Sequence, residues 1–368
     1  MTSLDDYTAL REGAIVGAIA DRRQIAVAGP DRASYLQGLL TNDIPALSSG
    51  RGCYAAWLTP QGRMLADLHV LESGDMILLD VPAGDAQQIA DRLEQFHFTE
   101  DLQIASLADS LRAVWLHGPA APRILGGVAA RNPSTSPRVL PSVSRDKGPP
   151  DDASELAARE GPPYDASAFA AWDDYQNARV EIAGRAVVVA RIDQLGVPGY
   201  VIYVDVQHEP AVRSALVAAG AVAAAPAAIE AARVEAGYPL FGIDMTGDTI
   251  PLEAGIEQRA ISLTKGCYVG QEVIIRVLHR GHGRVARKLV GLKVDGSAPE
   301  RAAKIFSGDR EVGFITSAAQ SPVLGAIALG YVHRDFVEPG TAVEIDTGAG
   351  RSPAVVGRPF TGRHPPTS

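Results

Sequence analysis

What most limits the fold of this chain is the spacing of its short apolar runs and the turn residues between them. Residues 55–58 and 64–71 flank a Pro-Gln-Gly-Arg turn at 60–63, and residues 178–182 and 186–191 flank Ala183, Gly184 and Arg185. Each pair reads as a β-hairpin. Further strands are expected at 24–28, 76–81, 113–117 and 200–204. Helices are expected over 32–40, capped by Asp31, and near 85–96 and 209–219. Residues 1–22 read as a helical lead-in. Hairpins interleaved with helices imply α+β layers, not a doubly wound parallel sheet. Beyond residue 285, short strands at 288–293, 311–316, 326–332 and 342–345 suit a small antiparallel β-barrel. The expected domains are a first α+β lobe over 1–110, a second over 111–284 and the barrel over 285–368. Prolines, serines and charges crowd residues 132–165, which read as a long mobile insertion in the second lobe.

The chain has 368 residues, 46% of them hydrophobic and 21% charged, enough apolar material for two or three cores. A net charge of -9 offers no basic field for a nucleic-acid backbone, but local arginines still suit a small anionic ligand. Two cysteines exclude a disulfide framework. Asp5 and Asp6 stand where a signal peptide needs basic residues, and the most apolar stretch, 215–229, is interrupted by Gly220 and Pro226. The expectation is a cytoplasmic protein with reduced thiols and neither nucleic-acid nor membrane partners. No G-x-G-x-x-G or P-loop pattern argues for a nucleotide cofactor.

One octet stands out, Lys265-Gly-Cys-Tyr-Val-Gly-Gln-Glu272. Gly266 and Gly270 allow a sharp bend around Cys267. Lys265, two residues away, favours the thiolate and so a nucleophile or metal ligand. Gln271 and Glu272 fix the turn, and residues 271–278 read as a strand or short buried element. The octet closely resembles the K-G-C-Y-x-G-Q-E signature of the YgfZ-type folate-binding proteins. These support iron–sulfur enzymes and are relatives of the aminomethyltransferase (T protein) of the glycine cleavage system. The resemblance extends to the pattern from Gly29 to Asp43 and to Gly313 through Ser317 with Ser321 and Pro322, so it covers nearly the whole chain outside the proline-rich insertion. The first of these patterns also has a complete reading as scaffold: a cap, an amphipathic helix and an Asn-Asp turn.

The resemblance implies an aminomethyltransferase-like folate-binding fold, with mixed lobes around a central pocket, and tetrahydrofolate or a derivative as ligand. Folate needs a flat apolar slot, an acceptor for the pterin N–H edge and basic groups for its glutamate tail. Residues 232–239 resemble the relatives' R-L-E-A-G segment, whose arginine lies at the folate end of the pocket. Arg233, Glu235 and Tyr238 are thus candidate cofactor-binding residues, although Arg233 and Glu235 read equally well as a structural ion pair. Tyr238 and Tyr268 are candidate walls. Two departures stand out. Val201 occupies the place of a pterin-gripping glutamate, and Ala66-Asp67 replaces an Asp-Asp pair, which disfavours glycine-cleavage transfer. Cys267, His279 and His282 match no standard zinc spacing, so no metal site is expected. Arg276, Arg280, Arg284 and Arg287 form a local basic cluster facing a folate tail, an acidic partner or water.

The function expected from these residues is a folate-binding accessory protein for iron–sulfur cluster assembly or repair, more a maturation factor than an enzyme. Cys267 is its working thiol and Lys265 the activator. A transient iron–sulfur cluster, shared with assembly proteins or client enzymes, follows from the resemblance. The alternative is a tetrahydrofolate-dependent one-carbon transferase of the aminomethyltransferase type. A third reading is a non-catalytic binding module in which the octet is only a turn.

Overall fold

The computed structural model describes residues 4–131, 164–279, 283–348 and 350–357. Two sheets, stacked face to face, form its centre. The first has five antiparallel strands in the spatial order Arg51–Leu58, Met64–Glu72, Met76–Pro82, Arg22–Ala28, Gln103–Ser106. The second has seven: Val222–Ala223, Ile15–Val16, Leu111–His117, Gly199–Asp205, Arg185–Arg191, Asn177–Ile182 and Ala129–Arg131.

Period-two alternation decides which face each residue serves. On the first sheet, Ile25, Val27, Leu68, Val70 and Leu79 pack under the helices Arg32–Leu39 and Ala86–Gln95. Their neighbours Ala26, Leu71 and Leu78 point the other way and meet Trp115, Val188, Ala190, Val201 and Tyr203 of the second sheet. On that sheet, Val114, Leu116, Val189 and Ile202 turn outward beneath a second helical layer. The result is helix, sheet, sheet, helix, with a mainly apolar layer between the sheets.

The same alternation carries polar side chains into that inner layer. Arg22 and Gln24 share the parity of Ala26, Asp67 and His69 that of Leu71, and Asp80 that of Leu78. All five are buried. A cluster of short helices from the 238–279 segment closes the end of the layer by packing Leu252, Ile256, Ile261 and Ile274 against Tyr54, Ala56, Leu58 and Met64. A closed six-stranded barrel follows, in the order Arg287–Val294, Gly325–His333, Arg310–Ser321, Lys304–Ser307, Ala342–Asp346, Arg351–Gly357.

Three expectations need correction. Gln271–His279 is an α-helix, not a strand. Its apolar residues Val273, Ile274, Val277 and Leu278 recur at helical spacing, and only Ile274 is fully buried. The lead-in is helical only over Leu4–Glu12. Ile15–Val16 then pairs with Leu111–His117 and Val222–Ala223, so the start of the chain belongs to the second sheet, not to the first lobe. Most of the proline-rich segment, 132–163, lies outside the described residues.

Candidate functional site

Between the sheets, Arg22 holds two carboxylates at once. Its Nη1 donates to Asp67 Oδ1 at 3.1 Å and its Nε to Asp80 Oδ2 at 3.0 Å. Asp67 Oδ2 accepts from Tyr54 OH at 2.8 Å. Asp80 also meets His69 Nδ1 at 2.9 Å and accepts from Gln24 Nε2 at 2.8 Å. Burial pushes the Asp80 carboxyl up, but Arg22, then His69 and Gln24, hold it below the usual carboxylate range. Burial, then the Arg22 charge, keeps His69 neutral at pH 7 by lowering its pKa. The far ring nitrogen of His69 faces Tyr238 OH at 3.4 Å and the Gln194 amide at 3.3 Å. Tyr54 stays a phenol, because burial and then Asp67 raise its pKa well above 10.0.

Beside this sealed polar cluster stand two half-buried residues, Tyr175 and Arg259. The ring of Tyr175 lies 5.9 Å from His69, and that of Tyr54 5.8 Å. Tyr175 is a bulky residue in the left-handed region, φ 61°, a conformation that costs about 1–3 kcal/mol and persists only where its surroundings enforce it. Burial raises its phenol pKa well above 10.0, yet the residue is only half-buried. Deep setting with remaining accessible surface is the mark of a crevice wall. Arg259 shows the same combination: burial opposes its charge more than any other influence, while Tyr238, Tyr54 and Tyr175, then Asp67, favour it. Its guanidinium lies 4.3 Å from the Tyr238 ring centre and 4.6 Å from that of Tyr54. A separate cavity of about 300 Å³ opens elsewhere between the sheets, near Met76, Arg185, Tyr203 and His208. Of the residues the sequence singled out, it touches none.

The octet acts as a clamp onto the first lobe, its Tyr268 packing in the same cluster as Tyr54. Lys265 Nζ donates to the carbonyls of Gln37, Leu40 and Asn42 at 2.6–3.0 Å, at the end of the Arg32–Leu39 helix. Burial lowers its pKa to about 8, against the pull of Asp43. Its three protons thus go to backbone oxygens, none to the sulfur of Cys267. Thr41 and Asn42 return the clamp, donating to the carbonyls of Ala260 and Arg259. Gly270 has φ 85°, and a Cβ there would lie 2.4 Å from Thr59 O, so only glycine fits. Gly266 meets no neighbour and has no left-handed φ. Tyr268 is core, its hydroxyl sealed without a partner and its pKa raised by burial to about 12. Gln271 and Glu272 open the helix that follows, with Glu272 exposed in its first turn. Cys267 is exposed. Cys53 is the contrast: burial drives its thiol up to about 12.

Arg233 and Glu235 do not pair with each other. Arg233 is sealed, donating to Glu230, Asp244, Ser317 Oγ and the Tyr238 carbonyl. Glu235 accepts from Tyr7, Arg11 and Ser321. Asp244 accepts in turn from Thr316 and Ser317, which explains that sequence pattern as the seam between lobe and barrel. With every donor and acceptor engaged inside the chain, neither residue reaches a ligand; of the three candidates, Tyr238 alone joins the central cluster. Val201 is wholly buried, paired with Trp115 across the second sheet. His279 is exposed, His282 and Arg280 lie outside the described residues, and Arg287 bonds Glu253 at 3.4 Å and covers the ring of Tyr331. Among the described residues no group of three or more His, Cys, Asp or Glu side chains is placed to hold a metal, and no helix is long and apolar enough to cross a membrane.

Comparison with known proteins gives this arrangement a family. The GCVT N-terminal domain matches residues 2–140 and 164–265, and the glycine cleavage T-protein C-terminal barrel domain matches 287–361. The chain belongs to the glycine cleavage T-protein family. Similar curated relatives include the aminomethyltransferases of Bacillus subtilis, 27% identical over 93% of this chain and 85% of that one, and of Saccharopolyspora erythraea, 28% identical over 98% and 90%. The crystal structure of glycine cleavage system aminomethyltransferase T from Bartonella henselae superposes with a TM-score of 0.77 at 23% identity, covering 98% of this chain and 90% of that one. These matches establish the T-protein relation and fold; they do not single out the YgfZ-type branch. Arg22, His69, Asp80 and Arg259 of this T-protein relative escaped the sequence reading. The available signal was polar residues at alternate positions in strands that are otherwise apolar, such as Asp67 and His69 alternating with Leu68 and Val70.

Proposed function

We propose that this protein binds tetrahydrofolate or a one-carbon derivative in the hollow beside half-buried Tyr175 and Arg259, with Tyr238 at its edge and the sealed Tyr54 and His69 behind it. The observation that carries this reading is the crevice itself: half-buried Tyr175 and Arg259 beside a saturated Arg22–Asp67–Asp80 cluster, in a chain of the T-protein family. The side chains present fit such a ligand. The aromatic rings of Tyr175 and Tyr238 offer flat faces for a pterin. A reduced folate, when bound, supplies the nitrogens that carry a one-carbon unit. Tyr54 and Arg22 hold Asp67 oriented through one hydrogen bond to each of its oxygens, and the closed sheets exclude water from them. Titration calorimetry with tetrahydrofolate tests the reading. Saturable binding, weakened about ten-fold or more in Tyr175→Ala through loss of a stacking wall, is expected; absence of binding by the wild type defeats it.

Two uses of a bound folate are open to the same fold. One-carbon transfer of the aminomethyltransferase type is supported by the relatives' activity. A tetrahydrofolate-dependent turnover assay with a secondary amine tests it, and Asp67→Asn should abolish that turnover. Service to iron–sulfur proteins is favoured by one feature of this chain, the exposed Cys267 on the clamped octet, together with Ala66 where the resemblance to the T protein implies a second aspartate. Cells carrying Cys267→Ala in place of the wild-type gene should lose iron–sulfur enzyme activity as a full deletion does. Retained activity removes the thiol from the account.

A further inference from the structure

Arg259 differs from the other deeply set arginines of this protein. Arg22 and Arg233 are matched to carboxylates and carbonyls through nearly all their donors. Arg259, whose guanidinium is always charged, has no hydrogen bond or ion pair from its side chain among the described residues. None of its nitrogens is among the sealed, unpartnered atoms, so they face open space. Tyr54 and Tyr238 sandwich the group and fix its plane. Tyr175, within the same hollow, also has no partner for its hydroxyl, which burial keeps protonated as a donor. A fixed, desolvated fork of N–H donors beside a free phenol is a receptor lacking its anion, and its geometry matches the two oxygens of a carboxylate.

We propose that Arg259 anchors a carboxylate carried by the ligand of the central hollow, with the Tyr175 hydroxyl as its second donor. The inference rests on the hollow being the ligand site, and it adds a recognition element that the sequence reading assigned to Arg233. Two sources share this chemistry: the glutamate tail of a folate, or a small carboxylic acid bound beside the pterin.

The test uses the full chain as wild type, Arg259→Met and Arg259→Lys. Their binding is measured for tetrahydrofolate and for 6-methyltetrahydropterin, which lacks a carboxylate. The expected result is a loss of about ten-fold or more in tetrahydrofolate affinity in Arg259→Met, with a clearly smaller loss for 6-methyltetrahydropterin and Arg259→Lys intermediate. If the tail is not the source, acetate should instead strengthen 6-methyltetrahydropterin binding to the wild type and not to Arg259→Met. Equal losses for both pterins, or no loss for either and no acetate effect, overturn the inference while leaving folate binding intact. Should the wild type bind neither pterin, the folate reading fails by itself. Acetate against chloride at matched ionic strength then decides for Arg259: a thermal stabilisation of the wild type that Arg259→Met lacks sustains the anchor, and no difference removes it. Arg259→Met without ligand should melt no lower than the wild type, because the charge it removes has no hydrogen-bond acceptor or counter-ion to offset its burial; Arg259→Lys provides the contrast if Arg259→Met does not fold.

Discussion

The helix Pro226–Ala236 and the segment from Ile256 to Val269 both contribute conspicuous basic residues, and they use them in opposite ways. On the helix, Arg233 and Glu235 are fully buried and fully matched, and the network through Asp244, Thr316 and Ser317 fastens lobe to barrel. In the later segment only Lys265 is matched, by three carbonyls, while Arg259 and Cys267 remain reachable. Saturation marks structure; an unsatisfied charge held at depth marks a place that something else completes. Motif position did not separate the two, since Arg233 lies in the segment that looks most like a ligand site.

The largest expected effect tests the saturated side. Arg233→Ala leaves the Asp244 carboxylate buried without its cation and should cost about 3–5 kcal/mol in denaturant unfolding. A cost below about 1 kcal/mol would break the comparison, because the seam would then hold without it. Next, Lys265→Met strips three carbonyls of their donor and should cost about 2 kcal/mol by the same measurement, without changing the reactivity of Cys267. A marked slowing of Cys267 alkylation in that variant would instead make Lys265 its electrostatic activator. Smaller again, Arg259→Met should raise the stability of the ligand-free protein by about 1 kcal/mol, the reverse of Arg233→Ala.

The smallest effect concerns the two thiols. Cys267→Ser should leave the unfolding midpoint unchanged, since its side chain is exposed. Brief iodoacetamide treatment of the native protein near neutral pH should label Cys267 and spare Cys53, whose thiol burial raises to about 12. Mass spectrometry of the digest reads both sites, and labelling of Cys53 at a similar rate would remove the distinction between them.

Acid should expose a further contrast within the inner layer. His117 is buried with both ring nitrogens unpartnered, and burial lowers its pKa from 6.5 to about 3. The unfolded chain therefore binds a proton that the folded one refuses between these values. The stability contributed by neutral His117 is complete above about pH 6.5 and falls as pH drops toward 3. His117→Phe should flatten that limb of the stability curve, and an unchanged acid limb would show that other groups govern it.

Sequence alone determined the layers, the hairpins and the barrel, because the spacing of apolar residues and turn formers is a local property that each segment carries with it. It also determined that 265–272 is a special turn, through Gly270, which nothing with a Cβ can replace. Resemblance to a family added the central pocket. What only the tertiary structure decided is which polar groups find partners. Lys265 meets its carbonyls more than 220 residues away, Arg233 meets Ser317 across the barrel seam, and Arg259 lies against two tyrosines, one on a strand and one just beyond a helix, without meeting an acceptor. Long-range pairing depends on how the sheets, lobes and barrel are assembled, so the matched and the unmatched arginine look alike until the chain is folded.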